Sequence, residues 1–151
     1  MEIFTLMCSV TSLVLAVASL IHTIHVYHET VIHDRKESTL NSYNILQEQA
    51  FDKLNLYTPA QIRDVAQNPK SKDYKIISGY IARIEHFCVG VNLKIYDRET
   101  VYELAHGYMD ESVLLERIKP IIEKKNRNRE NFYENIELVI KWMNQKTDKI
   151  K

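Results

Sequence analysis

Ile3–Val26 reads IFTLMCSVTSLVLAVASLIHTIHV, with no Lys, Arg, Asp, Glu, Gly or Pro. A helix rises about 1.5 Å per residue, so about 20 apolar residues cross a hydrocarbon core of roughly 30 Å. Ile3–His22 is that long, and its polar members are Ser, Thr, one Cys and the terminal His. Ser and Thr hydroxyls can bond back to the carbonyl one turn earlier, which makes them tolerable in lipid. The stretch predicts one transmembrane helix, with the rest of the chain a body tied to a membrane. Ala16-Val17-Ala18 before Ser19 resembles a signal cleavage site. A cleaved signal also needs a basic amino-terminal region, yet Glu2 is the sole charge ahead of the span, and the apolar run continues through Leu20, Ile21, Ile24 and Val26. An uncleaved anchor is therefore expected. No Lys or Arg precedes the span, whereas Arg35, Lys36, Lys53 and Arg63 follow it. The positive-inside rule then predicts a single-pass protein of the cytoplasmic (inner) membrane with its carboxyl-terminal body in the cytosol.

The 151 residues suit one domain plus an anchor. All basic residues, and every acid but Glu2, lie from Glu29 onward, so the body is close to neutral. That balance lacks the basic face of a nucleic-acid binder, and no nucleic-acid partner is expected. Three Gly and three Pro are few for a sheet protein with tight turns and suit long helices. Cys8 falls in the span and Cys88 on an apolar helix face, so they read as small hydrophobes and not as a disulfide.

From His22 to Leu54 there is no Gly or Pro, so the helix is expected to continue past the membrane. His22, His25, Glu29, His33 and Lys36 share one face of it, and Leu20, Ile24, Tyr27 and Val31 the opposite face. Leu40, Tyr43, Gln47, Ala50 and Leu54 then form a short heptad-like seam. It can pack on the chain's own body or pair with a second copy as a parallel coiled coil. Thr58-Pro59-Ala60-Gln61 is a capping box with Pro at the first helical position. The short helix it opens should stop near Gln67, ahead of Pro69.

Ser71 or Asp73 starts the central helix, with Ile77, Tyr80, Ile81, Ile84, Cys88 and Val91 on one stripe. Gly79 and Gly90 in this helix suggest close helix packing. Asp97 is the next N-cap. Val101, Leu104, Ala105, Tyr108 and Met109 form the inner face beyond it, and Gly107 should weaken its last turn. Asp110 or Glu111 opens a helix bearing Val113, Leu114, Arg117, Ile118, Ile121 and Ile122, which Pro120 should kink or split. Lys124–Arg129 is a basic turn, and the last helix points Phe132, Ile136, Val139, Ile140 and Met143 inward. The fold class is all-α: a transmembrane anchor over 1–28, a juxtamembrane helix over 29–56 and a small multi-helix cytosolic bundle over 57–151.

The block Tyr80-Ile81-Ala82-Arg83-Ile84-Glu85-His86-Phe87-Cys88-Val89-Gly90-Val91, followed by Ile95-Tyr96-Asp97, resembles a known family. That family comprises small bacterial, archaeal and phage-borne membrane proteins of unknown function, with one amino-terminal span and a helical cytosolic domain. Glu85, Gly90, Val91 and Asp97 fit its pattern, and Phe132-Tyr133-x-Asn135-Ile136-Glu137 resembles its last helix. Cys88 stands where Ala is usual and Lys94 near the usual turn Gly, so Asn92 is an alternative for the left-handed position there. The resemblance implies the layout and carries no activity.

Candidate chemistry is sparse. His22 and Glu29 are separated by roughly 10 Å of helix rise, too far to share one ion. His25 with Glu29 supplies two metal ligands at most from one helix. Glu85 borders the apolar stripe; it is either an acid or base with a raised pKa, or one half of an ion pair with Arg98 or Arg117. His86 should face solvent. No phosphate-cradling Gly loop and no nucleophile motif is present, so no catalytic residue and no cofactor are assigned. The expected function is a membrane-tethered interaction or scaffold protein that docks a protein partner or self-associates; only the resemblance, through the family's phage-borne members, implies a setting such as phage–host physiology. The alternatives are a membrane-anchored enzyme using Glu85 with a His, and a pH or metal sensor built on the juxtamembrane His face.

Overall fold

The computed structural model describes residues 2–126 and 133–150. Among them every regular element is a helix. The expected inward Phe132 and the Arg127–Arg129 part of the basic turn lie outside the described residues. The chain divides into two compact units, Met1–Arg35 and Lys36–Lys151.

The first unit is helical throughout its described length, as part of α1 (Glu2–Leu46). The hydroxyls of Thr11, Thr23 and Thr30 each donate at 2.9 Å to the carbonyls of Met7, Ser19 and Val26. This is the back-bonding that lets hydroxyl residues sit in an apolar helix. One helix, including this stretch, is long and apolar enough to cross a membrane.

The second unit begins with the last turns of α1. A π-helical turn (Gln47–Phe51), α2 (Asp52–Asn55), α3 (Pro59–Gln67), α4 (Lys72–Asn92) and α5 (Arg98–Ala105) follow. A second π-helical turn (Glu111–Leu115), α6 (Glu116–Asn126) and α7 (Glu134–Ile150) complete it. The buried positions of its first segment are Thr39, Tyr43, Leu46, Ala50, Phe51 and Leu54. Leu40, expected in the seam, is exposed, while Leu46 and Phe51 join the core. A π turn carries an extra residue, which turns the consecutive pair Ala50 and Phe51 inward together.

Helix ends follow the local chemistry. Thr58 Oγ1 accepts from Gln61 N at 3.3 Å and Gln61 Oε1 from Thr58 N at 2.8 Å, closing the capping box. Ser71 caps α4 by accepting from Tyr74 N at 3.1 Å. Asp97 caps α5 by accepting from Thr100 N at 2.9 Å, and its own N–H donates to the buried Thr39 hydroxyl at 2.8 Å. Asp110 accepts from Ser112 N at 2.8 Å, and the bonds from Ser112 hold its carboxyl below the usual carboxylate range.

α4 is the central helix, packed against α7, α3, α6 and the first π turn. Ile77, Ile81, Ile84, Cys88 and Val91 are buried as its stripe requires. Burial, helped by the Glu85 charge, raises the Cys88 thiol well above its ordinary pKa, so it stays protonated and is no nucleophile.

Four expectations are corrected. Gly79 has nothing within 4 Å of where a Cβ would stand, so close packing does not account for it. Lys94, not Asn92, takes the left-handed position, with φ 60°. There Lys94 N donates to Val91 O at 3.1 Å and Ile95 N to Gly90 O at 2.9 Å, the paired bonds of a Schellman ending. Val113 is exposed because the second π turn places Leu114 inward instead. Of the kink or split expected at Pro120, the split is absent, since α6 runs through it undivided.

Two substitutions test the backbone reading. Gly79→Ala adds helix propensity at an exposed interior position and should stabilise by about 1 kcal/mol. Lys94→Gly removes the cost of a side chain at positive φ and should stabilise by roughly 1 kcal/mol. Thermal melts followed by circular dichroism should show both above the parent. A lower melting temperature for either overturns its part of the argument.

Candidate functional site

Glu85 stands on the flank of α4, half-buried, and faces the start of α7. Its Oε1 accepts from Asn135 Nδ2 at 2.8 Å and from Asn135 N at 3.2 Å; its Oε2 accepts from Ile136 N at 3.0 Å. The first backbone N–H groups of a helix have no partner within it, and the helix dipole favours a negative charge there. The residue before α7 is Tyr133, which is no capping residue. Glu85 caps α7 from another helix. One α4 turn pair further on, Asn92 Nδ2 donates to Asn135 Oδ1 at 2.9 Å, so Asn135 is held from both sides.

Neither expected arginine pairs with Glu85. Arg117 donates to Asn55 Oδ1 at 2.7 Å and to the Tyr57 carbonyl, joining α6 to the turn before α3. Arg98 lies over the Trp142 ring, 5.0 Å from its centroid, joining α5 to α7. Ion pairing is replaced by capping because backbone donors at a helix start satisfy a carboxylate at two points in fixed geometry. Three of the roughly four acceptor sites of the Glu85 carboxylate are taken by the start of α7, which is the placement of a cap.

Gly90 is buried, and the Tyr96 ring folds back across it: a Cβ there would stand 2.8 Å from Tyr96 Cδ2 and closer still to Cε2. Tyr96 in turn stacks on Phe87, with centroids 4.9 Å apart and planes at 21°. The stack continues as ring contacts from Phe87 to Tyr43, to Phe51 and to Tyr108. Burial, with smaller contributions from Tyr108 and Asp52, pushes the Tyr43 hydroxyl up to about 12.

On the outer side of this aromatic row lies a cleft of about 390 Å³. Ser42, Ile45, Leu46 and Gln49 form one wall and Ala82, Arg83, His86 and Phe87 the other, with Tyr96 at the end. The spacing of three and four residues on the first wall puts its four side chains on one helix face. Leu46 and Phe87 are buried beneath it, while Ile45 is exposed. Arg83 Nη1 donates to Gln49 Oε1 across the rim. Sequence reasoning left Arg83 unremarked; a cation one turn from the apolar stripe, beside His86, was the available signal.

His25 Nε2 and Glu29 Oε1 are 3.3 Å apart and both exposed, a pair that is ionic only when the imidazole is protonated. Among the described residues no group of three or more His, Cys, Asp or Glu side chains is placed to hold a metal ion.

Residues 6–143 match the model of a family described as "Domain of unknown function (DUF4760)". The chain belongs to this family. No curated protein and no solved structure matches it. The family match spans Glu85, Asn92 and Asn135 as well as both walls of the cleft.

Proposed function

We propose that the chain is a membrane-tethered helical module, with residues 1–28 as anchor in the cytoplasmic membrane and the body in the cytosol as an interaction surface. One observation carries the tether. Leu13, Val14, Leu15, Leu20 and Ile21 point in different directions around α1, and each exposes 60% or more of its surface. A helix that is apolar all round needs cover on every side, which a bilayer supplies at once and a single docked partner does not. Arg35 and Lys36 after the stretch support the cytosolic side for the body. The commitment of Glu85 to the α7 cap favours an interaction role over an enzyme built on that carboxylate. The likeness to phage-borne proteins supports a role in phage–host physiology, and a protein partner or a second copy is the expected contact.

The tether is tested by fractionation and intact mass. Expressed in bacteria, the protein should stay in the membrane pellet after a carbonate wash, with a mass of 17.8 kDa. A soluble product lacking residues 1–18 would overturn the tether and place the body outside the cytosol.

A further inference from the structure

We propose that the cleft between the end of α1 and α4 binds a single-chain anionic amphiphile, a medium-chain fatty acid: Arg83 takes the carboxylate and the floor of Leu46, Phe87 and Tyr96 takes the alkyl chain. Size argues for a small ligand. A volume of about 390 Å³ falls within the roughly 300–1,000 Å³ of small-molecule sites, which favour gaps between helices. A protein partner of ordinary interface size would engage roughly 20–30 residues, far more than wall this cleft.

Charge decides the head group. The residues lining the cleft include no Asp or Glu, and its charged rim residue is Arg83, with His86 beside it. The guanidinium is already drawn to the mouth by Gln49, a neutral acceptor, and has no carboxylate partner among the described residues. It therefore keeps donors for a carboxylate, which a guanidinium binds through two parallel hydrogen bonds. The floor is apolar, with Phe87 stacked on Tyr96 and in tilted ring contact with Tyr43. Such a surface gains from each methylene it takes from water. An uncharged alcohol would forgo the Arg83 contact, and a cationic amphiphile would meet Arg83 as a like charge.

All lining residues fall within Lys36–Lys151. The ligand can be supplied as a soluble monomer, so its failure to bind leaves the tether untouched. The test uses the full chain in phosphatidylcholine nanodiscs, titrated with dodecanoate labelled with carbon-13 at the carboxyl and followed by NMR. Empty nanodiscs give the background. A saturable second carboxyl resonance is expected. Arg83→Gln should weaken it at least tenfold. Gln49→Glu, which offers Arg83 an internal carboxylate, should weaken it as much. Both residues are exposed, and unchanged thermal melts check that the body is intact. Dodecyltrimethylammonium should not compete. Absence of a saturable resonance overturns the proposal, as does wild-type affinity in either variant or equal competition by the cationic amphiphile. Self-association that Ala82→Trp abolishes and dodecanoate leaves unchanged would give the cleft to a second copy and overturn it too.

Discussion

Glu85→Ala is expected to destabilise the body by about 3 kcal/mol, on the order of 10 °C in melting temperature. The substitution strips the start of α7 of three hydrogen bonds to a carboxylate, two of them from backbone N–H groups of Asn135 and Ile136. Bonds to a charged acceptor each contribute roughly 1.5–3 kcal/mol, and loss of an N-cap alone costs roughly 0.5–2 kcal/mol. These overlap, and water recovers part of the loss at a half-buried position, which brings the total down to the stated figure. Glu85→Gln should cost less, about 1–2 kcal/mol. The amide keeps one oxygen for Asn135 but turns its NH2 towards the Ile136 N–H, donor against donor. A double-mutant cycle assigns the partner. Glu85→Ala and Asn135→Ala should couple by roughly 0.5–3 kcal/mol, because they remove the same bonds. Glu85→Ala and Arg117→Ala should add, since Arg117 Nη1 and Nη2 donate to Asn55 and Tyr57 and not to Glu85. Additivity with Asn135 together with coupling to Arg117 or Arg98 would restore the ion pair and refute the cap.

Gly90→Ala is expected to cost about 2 kcal/mol even though alanine is the better helix former. The new methyl group would overlap the Tyr96 ring, and the ring cannot swing aside without leaving Phe87, on which it stacks. The strain should reach the chain ending as well, because Gly90 O also receives the Ile95 N–H that closes the left-handed turn at Lys94. Tyr96→Ala should cost stability in the parent but little once alanine occupies position 90. If Gly90→Ala melts at or above the parent, the close approach of Tyr96 to this backbone is wrong.

Much of the architecture could be read from local signals. Thr58-Pro59-Ala60-Gln61, Ser71, Asp97 and Asp110 announced four helix starts, because a cap is made by residues two or three apart in the chain. The stripe of α4 was readable for the same reason: residues three and four apart share a face whatever the rest of the protein does. The seam after residue 36 was read less well. Leu40 turned outward and Leu46 and Phe51 inward, because an inserted π residue shifts the phase of everything beyond it and no residue type marks that insertion.

The site lies almost wholly on the unread side. Glu85 and Asn135 are fifty residues apart, and a carboxylate that caps a distant helix looks, in sequence, like one awaiting an arginine. The absence of a capping residue at Tyr133 was the one hint that the cap would come from elsewhere. Gly79 and Gly90 illustrate the same division. Both were conspicuous as glycines inside a helix, yet one faces open space and the other meets a ring that returns from six residues downstream. By itself the sequence determined an all-helical chain, its capped helix starts, the apolar stripe of α4 and an amino-terminal stretch long enough to cross a bilayer, since each of these depends on neighbours in the chain. The tertiary structure alone decided which donors Glu85 serves, where Arg98 and Arg117 are spent, and that Arg83 stands over an apolar cleft, because those contacts exist only once helices distant in sequence lie side by side.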